Sequence, residues 1–185
     1  MREWIGYYKD ILSDELSSNL ALNSKGWKQS TFANEKGNIG SKGSLKRVVM
    51  DETYVKENMT YWVDLINATR KVVNLYQKKH PYMKYFNPNR TTDFKINKYG
   101  KGGFMSEHAD NIHHSHGQQY GYPHLTSLIF LNDEYDGGDF ILCDGKFIAP
   151  KQQGSAVVFP SNFMYPHEVK EVTSGNRYSI MTWLL

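Results

Sequence analysis

In the segment His108-Ala109-Asp110 two chelating side chains flank a small residue, and a further histidine, His167, lies far downstream with Arg177 beyond it. This spacing constrains the fold more than any other feature of the chain. In a β-strand the side chains of residues i and i+2 project to the same face, so His108 and Asp110 at a strand end can aim at one point while Ala109 turns away. The remaining ligand must then come from a remote strand brought alongside, which a closed antiparallel sandwich can do and a single helix cannot. No HExxH segment is present. Two imidazoles and one carboxylate are the set that holds Fe(II) on one face and leaves positions open to small molecules. An arginine beyond the last ligand suits the distal carboxylate of a keto acid bound to the same metal.

A His-x-Asp pair arises readily by chance in a chain with 7 histidines and 19 acidic residues. The order of the segments around it carries more weight. Tyr99-Gly100-Lys101-Gly102-Gly103-Phe104-Met105-Ser106-Glu107 leads into His108, Thr126-Ser127-Leu128-Ile129-Phe130-Leu131 reads as a strand, and Gly137-Gly138-Asp139-Phe140 follows. Then come Ala156-Val157-Val158-Phe159, Pro166-His167-Glu168-Val169 and Arg177-Tyr178-Ser179-Ile180-Met181-Thr182-Trp183. In this order, over residues 92–185, the chain resembles the catalytic domain of prolyl 4-hydroxylases, which are Fe(II)- and 2-oxoglutarate-dependent dioxygenases.

The resemblance implies that His108, Asp110 and His167 ligate iron and that Arg177 pairs with the C5 carboxylate of 2-oxoglutarate. Tyr99 matches a tyrosine that hydrogen-bonds the same carboxylate. Leu128, Phe140 and Val169 match apolar positions lining the cosubstrate pocket, and Trp183 matches an aromatic beside it. The implied reaction consumes O2 and 2-oxoglutarate, releases succinate and CO2, and hydroxylates a C–H bond, with ascorbate as a candidate reductant. The implied partner is a peptide or protein containing proline, the procollagen type included. Some animal relatives carry tyrosine where this chain has Phe130, so one hydrogen bond to the cosubstrate is missing. Halogenating members of the wider superfamily lack the carboxylate ligand, and Asp110 therefore favours hydroxylation.

At 185 residues one domain is expected, a 2-oxoglutarate/Fe(II) dioxygenase domain with helical support and lid strands over 1–90 and the metal-binding β-core over 91–185. A net charge of +3, spread along the chain, does not indicate a nucleic-acid partner. The single Cys143 cannot form an internal disulfide and reads as a packed thiol, which fits a reducing compartment. Neither a signal-peptide core nor an apolar run of about 20 residues is present, so a cytoplasmic monomer without membrane contact is expected.

Ser13 caps a short helix with Leu12, Leu16 and Leu20 on one face. Residues 27–32 and 46–50 read as strands. Between them the Gly-rich segment 34–44 is either a lid over the substrate, as the resemblance implies, or an ordinary connection. Residues 52–79 read as helical through Tyr54, Met59, Trp62, Val63, Leu65, Ile66, Val73 and Leu75, with His80-Pro81 as the stop. After residue 90 short β-branched and aromatic segments alternate with Gly, Pro and Asn. The expected fold is therefore mainly β with α, a double-stranded β-helix or jelly-roll of cupin-like form braced by N-terminal helices.

His113, His114 and His116 read as decoration of an exposed loop or as an opportunistic zinc site. His124 has no second partner by spacing, and His80 reads as a helix-end residue. Three other functions stay open at this stage: oxidation of a free amino acid or other small metabolite, a non-catalytic cupin-like binding module, and a zinc hydrolase, which would use the same ligand types.

Overall fold

Alternation along strands and a single helical stripe account for most of the architecture. The computed structural model describes residues 2–30, 48–86, 88, 90–110 and 123–185. The segment 34–44 and His113, His114 and His116 lie outside the described residues, as do residues 31–32 and 46–47 of the two expected strands.

Among the described residues the strands are β1 (Gly6–Tyr8), β2 (Lys28–Gln29), β3 (Val48–Val49), β4 (Asp51–Val55), β5 (Phe94–Tyr99), β6 (Phe104–His108) and β7 (Leu125–Phe130), followed by β8 (Tyr135–Gly137), β9 (Phe140–Leu142), β10 (Phe147–Ile148), β11 (Ala156–Pro160), β12 (His167–Val169), β13 (Val172–Gly175) and β14 (Arg177–Leu184). The helices are α1 (Asp14–Asn23) and α2 (Trp62–Lys79). A major sheet runs in the order β1-β11-β7-β14-β5-β4-β2 and a minor sheet in the order β10-β9-β12-β6-β3, with β8 and β13 forming a separate pair. The pairings are antiparallel, and neighbours in each sheet are mostly distant in sequence. This is the jelly-roll arrangement the strand pattern called for.

Two apolar layers follow from the alternation. On the outer face of the major sheet Ile96, Ile129, Val158, Ile180 and Leu184 pack with the helices. The buried stripe of α2 is Leu65, Ala68, Thr69, Val72 and Tyr76, at the three- and four-residue spacing of one helical face. Ser13 caps α1 by accepting a hydrogen bond from the Leu16 N–H at 3.2 Å, as its position suggested. Between the sheets a second layer joins Tyr99, Leu128, Phe130 and Phe159 to Met105, Phe140, Leu142 and Val169. His167 stands against this inner layer, its ring in edge contact with Phe140 and Phe159.

The N-terminal boundaries differ from the sequence reading. Residues 52–55, expected to open the long helix, belong to β4 and pair with β5, and the helix starts only at Trp62. Tyr54, Met59 and Val63 are exposed and do not belong to the apolar stripe. The chain reverses between strand and helix through Asn58 and Tyr61, both with φ near +70°. A left-handed tyrosine is an uncommon way to make a turn and leaves no Gly or Pro signal in the sequence. The strand expected over 27–32 is limited, among the described residues, to Lys28–Gln29. His80 does end α2, but it is buried, stacked 4.5 Å from Trp4 and tilted against Tyr76 at 4.4 Å. His124 makes an edge contact with Phe86, and Cys143 is a buried free thiol.

Candidate active site

His108 is the last residue of β6 and faces His167, the first residue of β12, across one antiparallel pairing. This register brings the remote histidine to the His-x-Asp end. Asp110 lies just past β6, and its Oδ1 stands 3.7 Å from His108 Nε2 and 3.6 Å from His167 Nε2. Two donors held by one ion at about 2.1 Å can be no more than about 4.2 Å apart, so these separations fit a shared metal. Among the described residues this is the one cluster of three such side chains within metal-ligating reach.

The protonation pattern suits a metal as well. His108 Nδ1 lies 3.0 Å from the Ser106 carbonyl oxygen and His167 Nδ1 lies 3.1 Å from that of Tyr165. A carbonyl only accepts, so each Nδ1 carries a proton, which leaves Nε2 as the nitrogen that can offer a lone pair to a metal. Burial and the neighbouring His167 push the His108 pKa down to about 4, against the pull of Asp110, so the ring is neutral near pH 7. Burial alone would raise the Asp110 carboxyl. His167, His108, the Thr126 hydroxyl and the Trp183 indole outweigh it and hold the group ionised. Thr126 donates to Asp110 Oδ2 at 2.5 Å and is itself 2.7 Å from the Ser161 hydroxyl. Supporting contacts of this kind fix ligand orientation.

The inner face of the major sheet carries the second half of the site. Arg177 on β14 pairs with Tyr99 on β5, Ser179 with Asn97, and Met181 with Lys95. On the other side of β14, Ser179 pairs with Phe130, Met181 with Leu128, and Trp183 with Thr126. Residues paired in this way share a face. Trp183 and Thr126 therefore stand at the metal end, and Arg177 and Tyr99 at the other.

Arg177 is fully buried. Its Nη1 donates to Ser179 Oγ at 2.8 Å, while Nε and Nη2 have no partner. The guanidinium carbon lies 5.1 Å from the Tyr99 ring and 5.4 Å from the Phe130 ring. Burial, partly offset by Arg177, raises the Tyr99 phenol to about 12, so it is a neutral donor. A buried cation with two idle donors beside a neutral phenol is suited to a carboxylate.

The Gly137-Gly138 turn explains how Arg177 is enclosed. A Cβ on Gly137 would meet the Glu171 carbonyl oxygen at 2.2 Å, and one on Gly138 would lie 3.1 Å from Arg177 Cδ. Both residues also have positive φ, which glycine adopts without strain. The turn thus lets the β8–β13 pair close over the arginine.

Of the residues singled out in the sequence, His108, Asp110 and His167 converge at one end. Arg177, Tyr99, Leu128 and Trp183 share the inner face of the major sheet, and Phe140 and Val169 pack in the same inner layer from the opposite sheet. Sequence reasoning passed over Asn97, Lys95, Ser179, Thr126 and Tyr135. Asn97 is buried with its Oδ1 unpartnered, and the buried Tyr135 hydroxyl lies against the Arg177 guanidinium. The period of two backward from Tyr99 and forward from Arg177 marks Asn97, Lys95 and Ser179.

Phe130 offers a direct check on the pocket. Changing Phe130 to tyrosine is expected to lower the half-saturating 2-oxoglutarate concentration by about fivefold, the worth of one added neutral hydrogen bond of ~1 kcal/mol. Unchanged affinity in titrations with 2-oxoglutarate would mean that the ring edge faces away from the cosubstrate.

Residues 94–185 match the 2OG-Fe(II) oxygenase superfamily. Among curated proteins, a PKHD-type hydroxylase of Rippkaea orientalis is 30% identical over 52% of this chain and 44% of its own length. One of Thermosynechococcus vestitus is 27% identical over 75% of this chain and 61% of its own length. The chain thus spans roughly half the length of these relatives. Among solved structures, a Pseudomonas putida prolyl-4-hydroxylase superposes with a TM-score of 0.67 at 16% identity, over 98% of this chain and 91% of the other. A viral collagen prolyl hydroxylase from Paramecium Bursaria Chlorella virus-1 gives 0.70 at 15% identity, over 97% and 94%. A Trichoplax adhaerens prolyl hydroxylase, solved with a hypoxia inducible factor peptide fragment, gives 0.71 at 17% identity, over 99% and 84%. At such identities these likenesses speak to the jelly-roll fold. Through residues 94–185 the chain belongs to the 2OG-Fe(II) oxygenase superfamily, whose members work with Fe(II), 2-oxoglutarate and O2.

Proposed function

We propose that the chain is an Fe(II)- and 2-oxoglutarate-dependent hydroxylase acting on prolyl residues of a peptide or protein. The observation that carries the chemistry is one continuous inner face with two imidazole Nε2 atoms around a carboxylate at one end and a buried, half-satisfied guanidinium at the other. His108, Asp110 and His167 hold the metal in this reading. Arg177 and Tyr99 take the C5 carboxylate of 2-oxoglutarate, with Leu128, Phe140 and Val169 as apolar walls and Trp183 beside the metal end. A bound metal would let O2 serve as the oxidant, two of its four electrons coming from 2-oxoglutarate as it goes to succinate and CO2 and two from the unactivated C–H bond that is hydroxylated.

The residues of the chain do the rest. Thr126 and the backbone carbonyls of Ser106 and Tyr165 fix the orientation of the three ligands. Tyr99, Phe130 and Ser179 hold the guanidinium where only a carboxylate of the right reach can meet it. The apolar inner layer excludes water from the reacting centre. Proline as the target rests on the likeness to prolyl hydroxylases in sequence order and fold, and ascorbate enters only as a reductant that some such enzymes use.

Incubation with ferrous ion, 2-oxoglutarate and proline-rich peptides, followed by mass spectrometry, tests the reading. A gain of one oxygen on proline with matching succinate is the expected result. Succinate without oxygen on any peptide would shift the substrate to a small molecule, and no succinate above a metal-free control would remove the oxygenase reading.

A further inference from the structure

A cavity of about 440 Å³ opens beside the metal end of the inner face, and Tyr54, Arg90, Asp93, Lys95, Met181 and Trp183 are among the residues that line it. It adjoins the triad through Trp183, whose indole favours the ionised Asp110. Lys95 links the two regions. It shares the inner face with Met181 and Tyr54, its cross-strand neighbours, and its charge is felt at both Asp110 and His108.

The ammonium of Lys95 is poorly matched. Its side chain is 19% exposed, and among the described residues its polar contact is Glu52 Oε2 at 3.9 Å, beyond hydrogen-bond distance. Glu52 is in turn held by the Tyr54 hydroxyl, which donates to its other oxygen at 3.1 Å. A cation with three donors, mostly withdrawn from water and facing a cavity, has room for one more acceptor. An ion pair so loosely made contributes little to stability. Its place at the mouth of the site is therefore better explained by a ligand than by folding.

We propose that Lys95, steered by Glu52 and Tyr54, is a specificity residue that receives a single carboxylate of the substrate next to the carbon to be oxidised. The acceptor carries one negative charge, because a dianion such as phosphate would meet Glu52, Asp93 and Asp110 around one ammonium. The carboxylate comes either from an acidic residue adjoining the target proline or from the α-carboxylate of a free amino acid. This inference rests on the hydroxylase reading above and narrows its substrate.

Binding to the 185-residue chain, measured by titration calorimetry, separates the sources. N-acetyl-Pro-Asp-amide is compared with N-acetyl-Pro-Asn-amide, and free proline with prolinamide. In one of the two pairs the carboxylate is expected to bind about tenfold more tightly, the usual worth of one charge-assisted hydrogen bond. A preference in the first pair identifies an acidic peptide, and in the second a free amino acid. Lys95→Met is expected to erase the preference and Lys95→Arg to retain it. Glu52→Gln, by removing the competing carboxylate, is expected to tighten binding of the preferred probe, which a purely structural ion pair would not do. No discrimination in either pair, or discrimination that survives Lys95→Met, overturns the proposal. These readouts need no turnover. Charge selection without succinate would sink the hydroxylase reading alone, and succinate without charge selection would sink this one alone.

Discussion

Substituting Arg177 by methionine is expected to raise the 2-oxoglutarate concentration for half-maximal turnover by about two to three orders of magnitude. It is also expected to raise, or leave unchanged, the melting temperature of the cosubstrate-free protein. The two effects have one cause. The guanidinium is fully buried, with Ser179 Oγ as its hydrogen-bond acceptor and with Nε and Nη2 unsatisfied. A buried cation in that condition costs desolvation energy that its contacts with Tyr99 and Phe130 only partly offset. Methionine fills a similar volume without the charge, and replacing buried charge by packed apolar groups is often neutral or stabilising.

With 2-oxoglutarate present the balance reverses. A carboxylate can complete the idle donors, and losing a buried charge-assisted anchor costs about 2–5 kcal/mol, of which ~3–4 kcal/mol corresponds to the stated loss of affinity. A thermal-shift series over 2-oxoglutarate concentration checks both halves. Wild-type protein should gain stability with ligand by mass action, and Arg177→Met should start as high or higher and gain almost nothing. Ligand-dependent stabilisation of the variant equal to that of the wild type would mean that another cation holds the carboxylate. A collapse of the unliganded variant would mean that the arginine is structural.

The sequence exposed those parts of the site that obey a fixed spacing. His108 and Asp110 are two apart at a strand end, and Arg177 opens a strand whose alternation turns it inward, so these positions were legible without coordinates. The Ser13 cap, the main stripe of α2 and the stop at His80-Pro81 were legible for the same reason. Residues 52–55 were not. Tyr54 and Met59 happen to continue the helical period of Trp62 and Leu65, and the reversal between them uses Asn58 and Tyr61 rather than glycine or proline. The strand is set by its pairing with β5, a tertiary contact that local pattern does not encode. Lys95 and Glu52 were missed as a consequence. Once 52–55 is read as helix, nothing places Glu52 across from the strand that ends at Tyr99. Asn97 and Lys95 were within reach of the period-two rule, but a polar residue in a strand signals a solvated face as readily as a site.

Asp110→Ala is expected to abolish metal-dependent succinate formation, with a loss of at least about a thousandfold, while the fold persists. The carboxylate is the sole anionic member of the triad, and its Oδ1 stands within 3.7 Å of both histidine Nε2 atoms. Two imidazoles remain in the variant, and a ferrous ion loses its oxygen donor and the charge that offsets its own. Even second-sphere partners of metal ligands typically cost 10–100-fold when removed, so losing a direct ligand exceeds that range. Folding survives for reasons visible around the residue. Thr126 loses an acceptor but keeps the Ser161 hydroxyl at 2.7 Å. Asp110 pulls the His108 pKa up, so without it His108 is held still more firmly neutral and no buried imidazolium is created. Calorimetric titration with ferrous ion under anaerobic conditions, alongside a melting curve, separates the outcomes. A normal melt with no metal uptake is the expected pair. Retained succinate formation would strip Asp110 of its role as ligand and with it the case for a two-histidine, one-carboxylate centre.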